Sequence, residues 1–204
     1  PNGVVDSTTY DDTLTLITYG CQSTMSGDYV IGSGSGADFS DLSEFMNILG
    51  LCGISNDITL KYQDGVYAEN WSITNMGSIM GNYTLTITSL SGNPDDVIVR
   101  PASGVGIALN GAENLIIENI TVDAINGTYA IQFVGDCSNI RIRNNKLYAR
   151  GYENSTGYAV IHQASGTPLI DNIYITNNHI EGGYYGIYLY GSNSSNYNTN
   201  IYVD

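Results

Sequence analysis

The sequence predicts an all-β fold, a parallel β-helix solenoid with a short N-terminal capping helix, and three observations carry that expectation. The first is a nine-residue phrase present in three ungapped copies, Asn114–Val122, Asn139–Leu147 and Asn172–Ile180, with a fourth opening at Asn200-Ile-Tyr-Val-Asp204. The copies start 25, 33 and 28 residues apart. Apolar residues hold the second, fourth and ninth positions, and Asn holds the first and sixth. Period-2 alternation inside a repeat of this length marks coils that each contribute short strands to a stack. The second observation is another phrase ahead of each copy: Gly106-Ile-Ala-Leu109, Ala130-Ile-Gln-Phe133, Ala159-Val-Ile-His162 and Gly186-Ile-Tyr-Leu189. The third is the Gly/Asn/Ser punctuation between them, as in Gly135-Asp-Cys-Ser-Asn139.

Stacking these phrases places Leu115/Ile140/Ile173/Ile201 and Ile117/Ile142/Ile175/Val203 in two inward columns. Asn119/Asn144/Asn177 is expected to form an amide ladder at a turn, satisfying polar groups along the stack. His162 falls into an inward column with Phe133 and Leu189 in this alignment. Differences in coil length belong in loops such as 152–157 and 163–168.

From the N-terminus, residues 1–27 read as an extension containing a strand at Thr13–Tyr19, available as an assembly arm. The β-helix domain is expected over 28–204, with its N-terminal cap over about 28–56. Asp28–Ile31 reads as a strand. Ser40 is placed to N-cap a helix over Asp41–Leu49, whose Leu42, Phe45, Met46 and Leu49 share one face, with Gly50 as its stop. Such an amphipathic helix would cover the open core end of a first coil. Strands follow at Ile58–Tyr62, Tyr83–Ser89 and Val97–Arg100.

Tyr29-Val-Ile31, Asp38–Leu49, Asp64-Gly-Val-Tyr-Ala-Glu69 and Ile87–Val97 together resemble the opening of right-handed parallel β-helix proteins of the pectate-lyase-like superfamily. The chain is most similar there to secreted surface proteins of bacteria and archaea, and the resemblance covers about residues 28–204. It implies a right-handed solenoid. It leaves function open, because that superfamily includes lyases, hydrolases, esterases, adhesins and structural proteins.

Composition narrows the classes. Net charge is −14 with six Lys and Arg, which disfavours nucleic acid and anionic membranes as partners. No stretch nears the ~18 apolar residues a membrane span requires, and a chain opening on Pro1 is expected of a processed or trimmed N-terminus. No cofactor is expected. Calcium is the one ion the acidity would suit, and Asp11-Asp12 and Asp95-Asp96 are its candidate pairs, neither with a metal-specifying spacing. Three cysteines leave Cys21–Cys52 as a candidate disulfide, with Cys137 alone. Of six Asn-X-Ser/Thr sequons, those at Asn126, Asn154 and Asn193 lie in expected loops where a glycan could attach. An extracellular or cell-surface location is expected.

Catalysis finds little support. Gly65–Glu69 is similar to a stretch of pectin methylesterases, but their catalytic carboxylates and arginine motif have no counterpart here, so it reads as a scaffold turn. Glycoside hydrolysis needs carboxylates converging on one face, yet Glu118, Asp123, Asp136, Asp171 and Glu181 scatter, and Tyr148 separates Asp123 from Glu181. Arg141 and Arg143 point outward, and Arg143 is expected to pair with Glu118 across strands. Gly32–Asp38 imitates a phosphate loop without its Lys and a calcium nonapeptide without a tandem copy. What stands out is tyrosine: Tyr148, Tyr174, Tyr188, Tyr190 and Tyr202 are expected outside, as a contact face for polysaccharide or for another subunit. The last strand, Asn200, Ile201, Tyr202, Val203 and Asp204, carries two inward residues and one charged gatekeeper. It is expected to be covered by a neighbouring subunit or by further chain; capping by the chain's own residues 1–27, whose strand Thr13–Tyr19 has no assigned partner, would overturn that expectation. The leading expectation is thus a non-catalytic structural subunit of a filament, sheath or layer. A carbohydrate-binding or adhesive module comes next, and a lyase or hydrolase fragment last.

Overall fold

The computed structural model describes residues 21, 23–151, 158–164, 169–191 and 197–204. They form a right-handed parallel β-helix of three sheets. Sheet A has seven strands: β1 (Met25–Ile31), β2 (Ile54–Tyr62), β5 (Leu85–Ser89), β8 (Glu113–Glu118), β11 (Cys137–Arg143), β14 (Ile170–Thr176) and β17 (Thr199–Val203). Sheet B stacks β3 (Gly65–Tyr67), β6 (Val97–Val99), β9 (Thr121–Ala124), β12 (Lys146–Gly151) and β15 (His179–Gly183). Sheet C stacks β4 (Trp71–Thr74), β7 (Val105–Asn110), β10 (Tyr129–Phe133), β13 (Ala159–Gln163) and β16 (Tyr185–Tyr188). Each coil visits A, B and C in turn, and each strand pairs in parallel with its counterparts one coil away.

The inward columns are those the repeats define. Leu115 pairs with Ile140, Ile140 with Ile173, and Ile173 with Ile201, while Ile117, Ile142, Ile175 and Val203 align beside them. Leu115, Ile117, Ile140, Ile142 and Ile173 are fully buried. Burying one such side chain is worth about 1.5–3 kcal/mol, so this column is the main source of cohesion between coils.

The N-terminal side is closed by α1 (Leu42–Cys52), which occupies the first coil where strands of B and C would otherwise run. Phe45 and Leu49 are fully buried, the helix packs on β1 and β4, and Phe45 meets the rings of Tyr29 and Phe39. Its bounds differ from the sequence expectation. The N-cap is Asp41, whose Oδ1 accepts from the Glu44 N–H at 2.9 Å, and Ser40 instead bonds the Glu44 carboxylate. The helix also runs through Gly50 and stops at Gly53, where φ is +67°. Gly50 in a helix costs only about 1 kcal/mol, whereas the positive φ at 53 demands glycine. Strand β1 starts at Met25, ahead of the expected domain boundary at 28. Residues 1–20, with the expected strand Thr13–Tyr19, lie outside the described residues.

Two further expectations are corrected. His162 is not inward: it pairs with Gln132 and Tyr188, while Gln163 takes the inward place beside Phe133. The aligned phrase is therefore Val160–Gln163, one residue later, and a one-residue slip exchanges the two faces of a strand. The bonded asparagine ladder is also not at 119/144/177. Those three have φ of 53°, 56° and 53° and serve as left-handed corner residues. Asn119 donates to Thr88 Oγ1. The amide-to-amide ladder runs through the first position of the phrase: Asn139 donates to Asn114 at 3.0 Å, and Asn172 to Asn139 at 2.6 Å.

At the other side, β17 has no neighbour on its outer edge among the described residues. Tyr202 and Val203 are 51% and 53% exposed.

Candidate functional site

The outer faces hold whatever chemistry the molecule offers, and most of it is spent between coils. Lys61 Nζ meets Asp28 Oδ2 at 2.6 Å, Arg100 Nε meets Asp123 Oδ2 at 2.8 Å, and Arg143 Nε meets Glu118 Oε2 at 2.5 Å. Lys146 Nζ reaches Asp95 at 2.6 Å. Arg141 lies over the Tyr174 ring, 5.5 Å from its centroid, in the next coil. Asp171 accepts from Thr199 Oγ1 at 2.5 Å and Asn200 Nδ2 at 2.8 Å. These bonds hold the Asp171 carboxyl below its usual range, as the Lys61 ammonium does for Asp28. Glu181 meets His179 at 3.2 Å on its own strand.

The acid pair nearest to a hydrolase arrangement is Asp123 and Glu181, which flank Tyr148 in one outward column. Two strand spacings, about 9.6 Å, separate their backbones. Asp123 is paired with Arg100 and Glu181 with His179, so the two carboxylates do not converge on one bond as glycosidic cleavage requires. Among the described residues no group of three or more His, Cys, Asp or Glu could hold a metal ion. Asp95 is taken by Lys146, and Asp11-Asp12 lies outside the described residues.

The five tyrosines named from the sequence do not share one face. Tyr174 and Tyr202 are on sheet A with ring centroids 5.9 Å apart, Tyr148 is on sheet B, and Tyr188 is on sheet C with Tyr190 just beyond its strand. Strand parity tells in from out but not which of three faces a residue joins. On sheet C the rings stack upon one another. Tyr129 and His162 lie 4.1 Å apart with planes 7° from parallel, and Tyr188 sits 5.9 Å beyond His162. Tyr185 and Tyr190 extend the row at 5.2 and 6.3 Å from Tyr188. Gln132 Nε2 lies 3.1 Å from His162 Nδ1, and burial lowers the imidazole pKa.

Sequence reasoning missed two polar devices in the core. Asn145, buried, donates to Ile117 O at 2.9 Å and accepts from the Ile120 N–H at 3.2 Å; Asn178 repeats the first bond one coil on, donating to Ile142 O at 2.8 Å. The Asn144-Asn145 and Asn177-Asn178 doublets were the available signal: one member turns the corner, the other closes backbone groups left open by it. Gln163, buried, exchanges amide bonds with Asn198 at 3.0 and 2.6 Å.

Both N-terminal motifs have structural occupations. Gln63 Oε1 accepts from the Gly34 N–H and its Nε2 donates to Ser35 O, so the glycine loop is wrapped around Gln63. A Cβ at Gly32 would collide with that amide. Glu69 accepts from the Trp71 indole at 3.0 Å. Between loop and turn lies a polar cavity of about 420 Å³. Cys21 and Cys52 are joined by a disulfide, with Cα atoms 5.2 Å apart. Cys137 is buried as a thiol, its pKa pushed up to about 11 by burial. Asn126 sits in an exposed turn; Asn154 and Asn193 lie outside the described residues.

Against known proteins, a family described as "Right handed beta helix region" matches residues 43–202. The chain belongs to that family. No curated protein matches it, and no solved structure does. No helix among the described residues is long and apolar enough to cross a membrane.

Proposed function

We propose that the protein is a non-catalytic structural component of the cell exterior, a β-helix subunit of a surface filament, sheath or layer. The observation that carries this reading is the commitment of the outward charges. Asp28, Glu118, Asp123 and Asp171 each bond a side chain of an adjoining coil, and so do Lys61, Arg100 and Arg143. A hydrolase or lyase needs carboxylates and a base turned toward substrate; here they are turned toward one another. The open edge at 200–204, or the segment 1–27, would supply self-association by strand addition, with Tyr174 and Tyr202 setting register. Electron microscopy of concentrated purified protein tests this. Ordered assemblies are expected, and strictly monomeric particles at high concentration would sink it.

A carbohydrate-binding or adhesive role is the second reading, favoured by sheet C: none of its strands contains Asp, Glu, Lys or Arg, in a chain of net charge −14. Its rings lie largely face to face within the row, which leaves edges and hydroxyls to a ligand. Affinity electrophoresis against neutral and acidic polysaccharides decides it. An enzyme fragment, the third reading, would release an ultraviolet-absorbing unsaturated product from polyuronate, and none is expected.

A further inference from the structure

Tyr148 differs from the other outward tyrosines. It lines a groove of about 310 Å³ on sheet B, walled also by Ile125, which is 52% exposed, and by Glu181. The floor is bare backbone. Gly182 has φ of +95°, and a Cβ there would collide with the Ala149 carbonyl oxygen; Gly183 at φ +66° continues the floor. The strand can therefore come this close only without side chains. The His179 ring lies 5.6 Å from the Tyr148 ring, tilted by 56°, and His179 Nε2 is 3.2 Å from Glu181 Oε2.

An aromatic wall, an aliphatic wall and a carboxylate–imidazole pair at the rim define a small amphipathic ligand. Its flat C–H face would lie on Tyr148 while vicinal hydroxyls donate to Glu181. The volume sits at the lower end of small-molecule sites, enough for one ring. Charge selects further. Glu181 at the rim repels an anion, within a chain of net charge −14, while Asp123 in the same column is neutralised by Arg100. We propose that this groove is a binding site for a single uncharged pyranose unit, such as a terminal or branching sugar of a neutral glycan, and that it excludes uronates. The site is independent of the scaffold reading, which rests on assembly.

The test is an amide-resolved NMR titration of the full chain with the methyl pyranosides of glucose, galactose and mannose, and with methyl galacturonide. At least one neutral pyranoside is expected to shift amides of β12 and β15, and the uronide to bind at least ~10-fold more weakly, a difference of about 1.4 kcal/mol. Tyr148→Phe should retain binding and Tyr148→Ala abolish it. Ile125→Trp, at an exposed position that does not threaten folding, should block the groove. Tyr174→Ala on sheet A should leave binding unchanged. Silence from all three neutral pyranosides, equal binding of the uronide, or binding that survives Ile125→Trp would each overturn the proposal.

Discussion

Sheets A and C share one backbone geometry and one hydrophobic interior, yet they tie coil to coil by different means. On A the outward rungs are joined by charge, as in Arg143–Glu118 and Lys61–Asp28. On C they are joined by rings, in the row through Tyr129, His162 and Tyr188. The strand spacing of about 4.8 Å suits both, since it lies within reach of an ion pair and of a ring stack. The solenoid thus dictates where a side chain sits in the stack and leaves its chemistry free. The two faces should then answer differently to salt and acid.

The interior should outweigh both faces. Ile142→Ala removes a fully buried side chain from the column beneath, and an expected loss of ~2–5 kcal/mol should appear in urea denaturation. If the loss were no larger than that from a surface variant, cohesion would lie in the faces instead. Next comes Asn145→Ala, which leaves the Ile117 carbonyl and Ile120 N–H without this partner. About 1–3 kcal/mol is expected, with hydrogen exchange quickening at Ile120. Tyr188→Ala should cost about 0.5–1.5 kcal/mol beyond its lost area, and the same amount at low and high salt. Arg143→Ala should cost no more than ~1 kcal/mol, diminishing in 1 M salt.

Acid separates the faces in the opposite order. His162 has its pKa lowered by burial, so the fold favours neutral imidazole. Its contribution is complete above the ordinary value near 6.5 and is lost as pH falls through the lowered one. Asp28 and Asp171 are lowered by hydrogen bonds to Lys61 and to Thr199 and Asn200. Their contribution holds above the ordinary carboxylate value and is lost only as pH falls through values below it. The ring-joined face should therefore weaken first on acidification. Wild type is expected to lose stability as pH falls below the ordinary histidine value, and His162→Phe, which keeps a ring in the row, should not show that loss. Identical pH profiles would refute the assignment.

Much of this was legible in advance, and what was not has physical reasons. The inward columns announced themselves because one apolar residue in two is a pattern only a half-buried strand requires. The register at β13 did not, because Ala159, Val160 and Ile161 are all apolar, so the phrase could open at Ala159 or at Val160; only the buried Gln163, paired with Asn198, fixes it. Asn was recognised as a turn residue, but both Asn positions of the phrase are left-handed, and the sequence does not say which of the two also carries the amide ladder. The groove at Tyr148 was hidden for another reason. Its floor is made of glycines, which leave no side-chain signature, and its walls come from three coils.

In-register parallel pairing also makes coils interchangeable units of growth. Each strand looks only to its counterparts before and after, and the corner asparagines recur with φ between 52° and 56° whatever the loop length. Duplicating a segment that starts at one corner and ends at the equivalent one, such as residues 114–138, would insert a rung into all three sheets without displacing any existing register. The molecule would lengthen by about 4.8 Å per added coil. Gene duplication could therefore set the height of this rod in equal steps, and loops could diversify meanwhile without disturbing its axis.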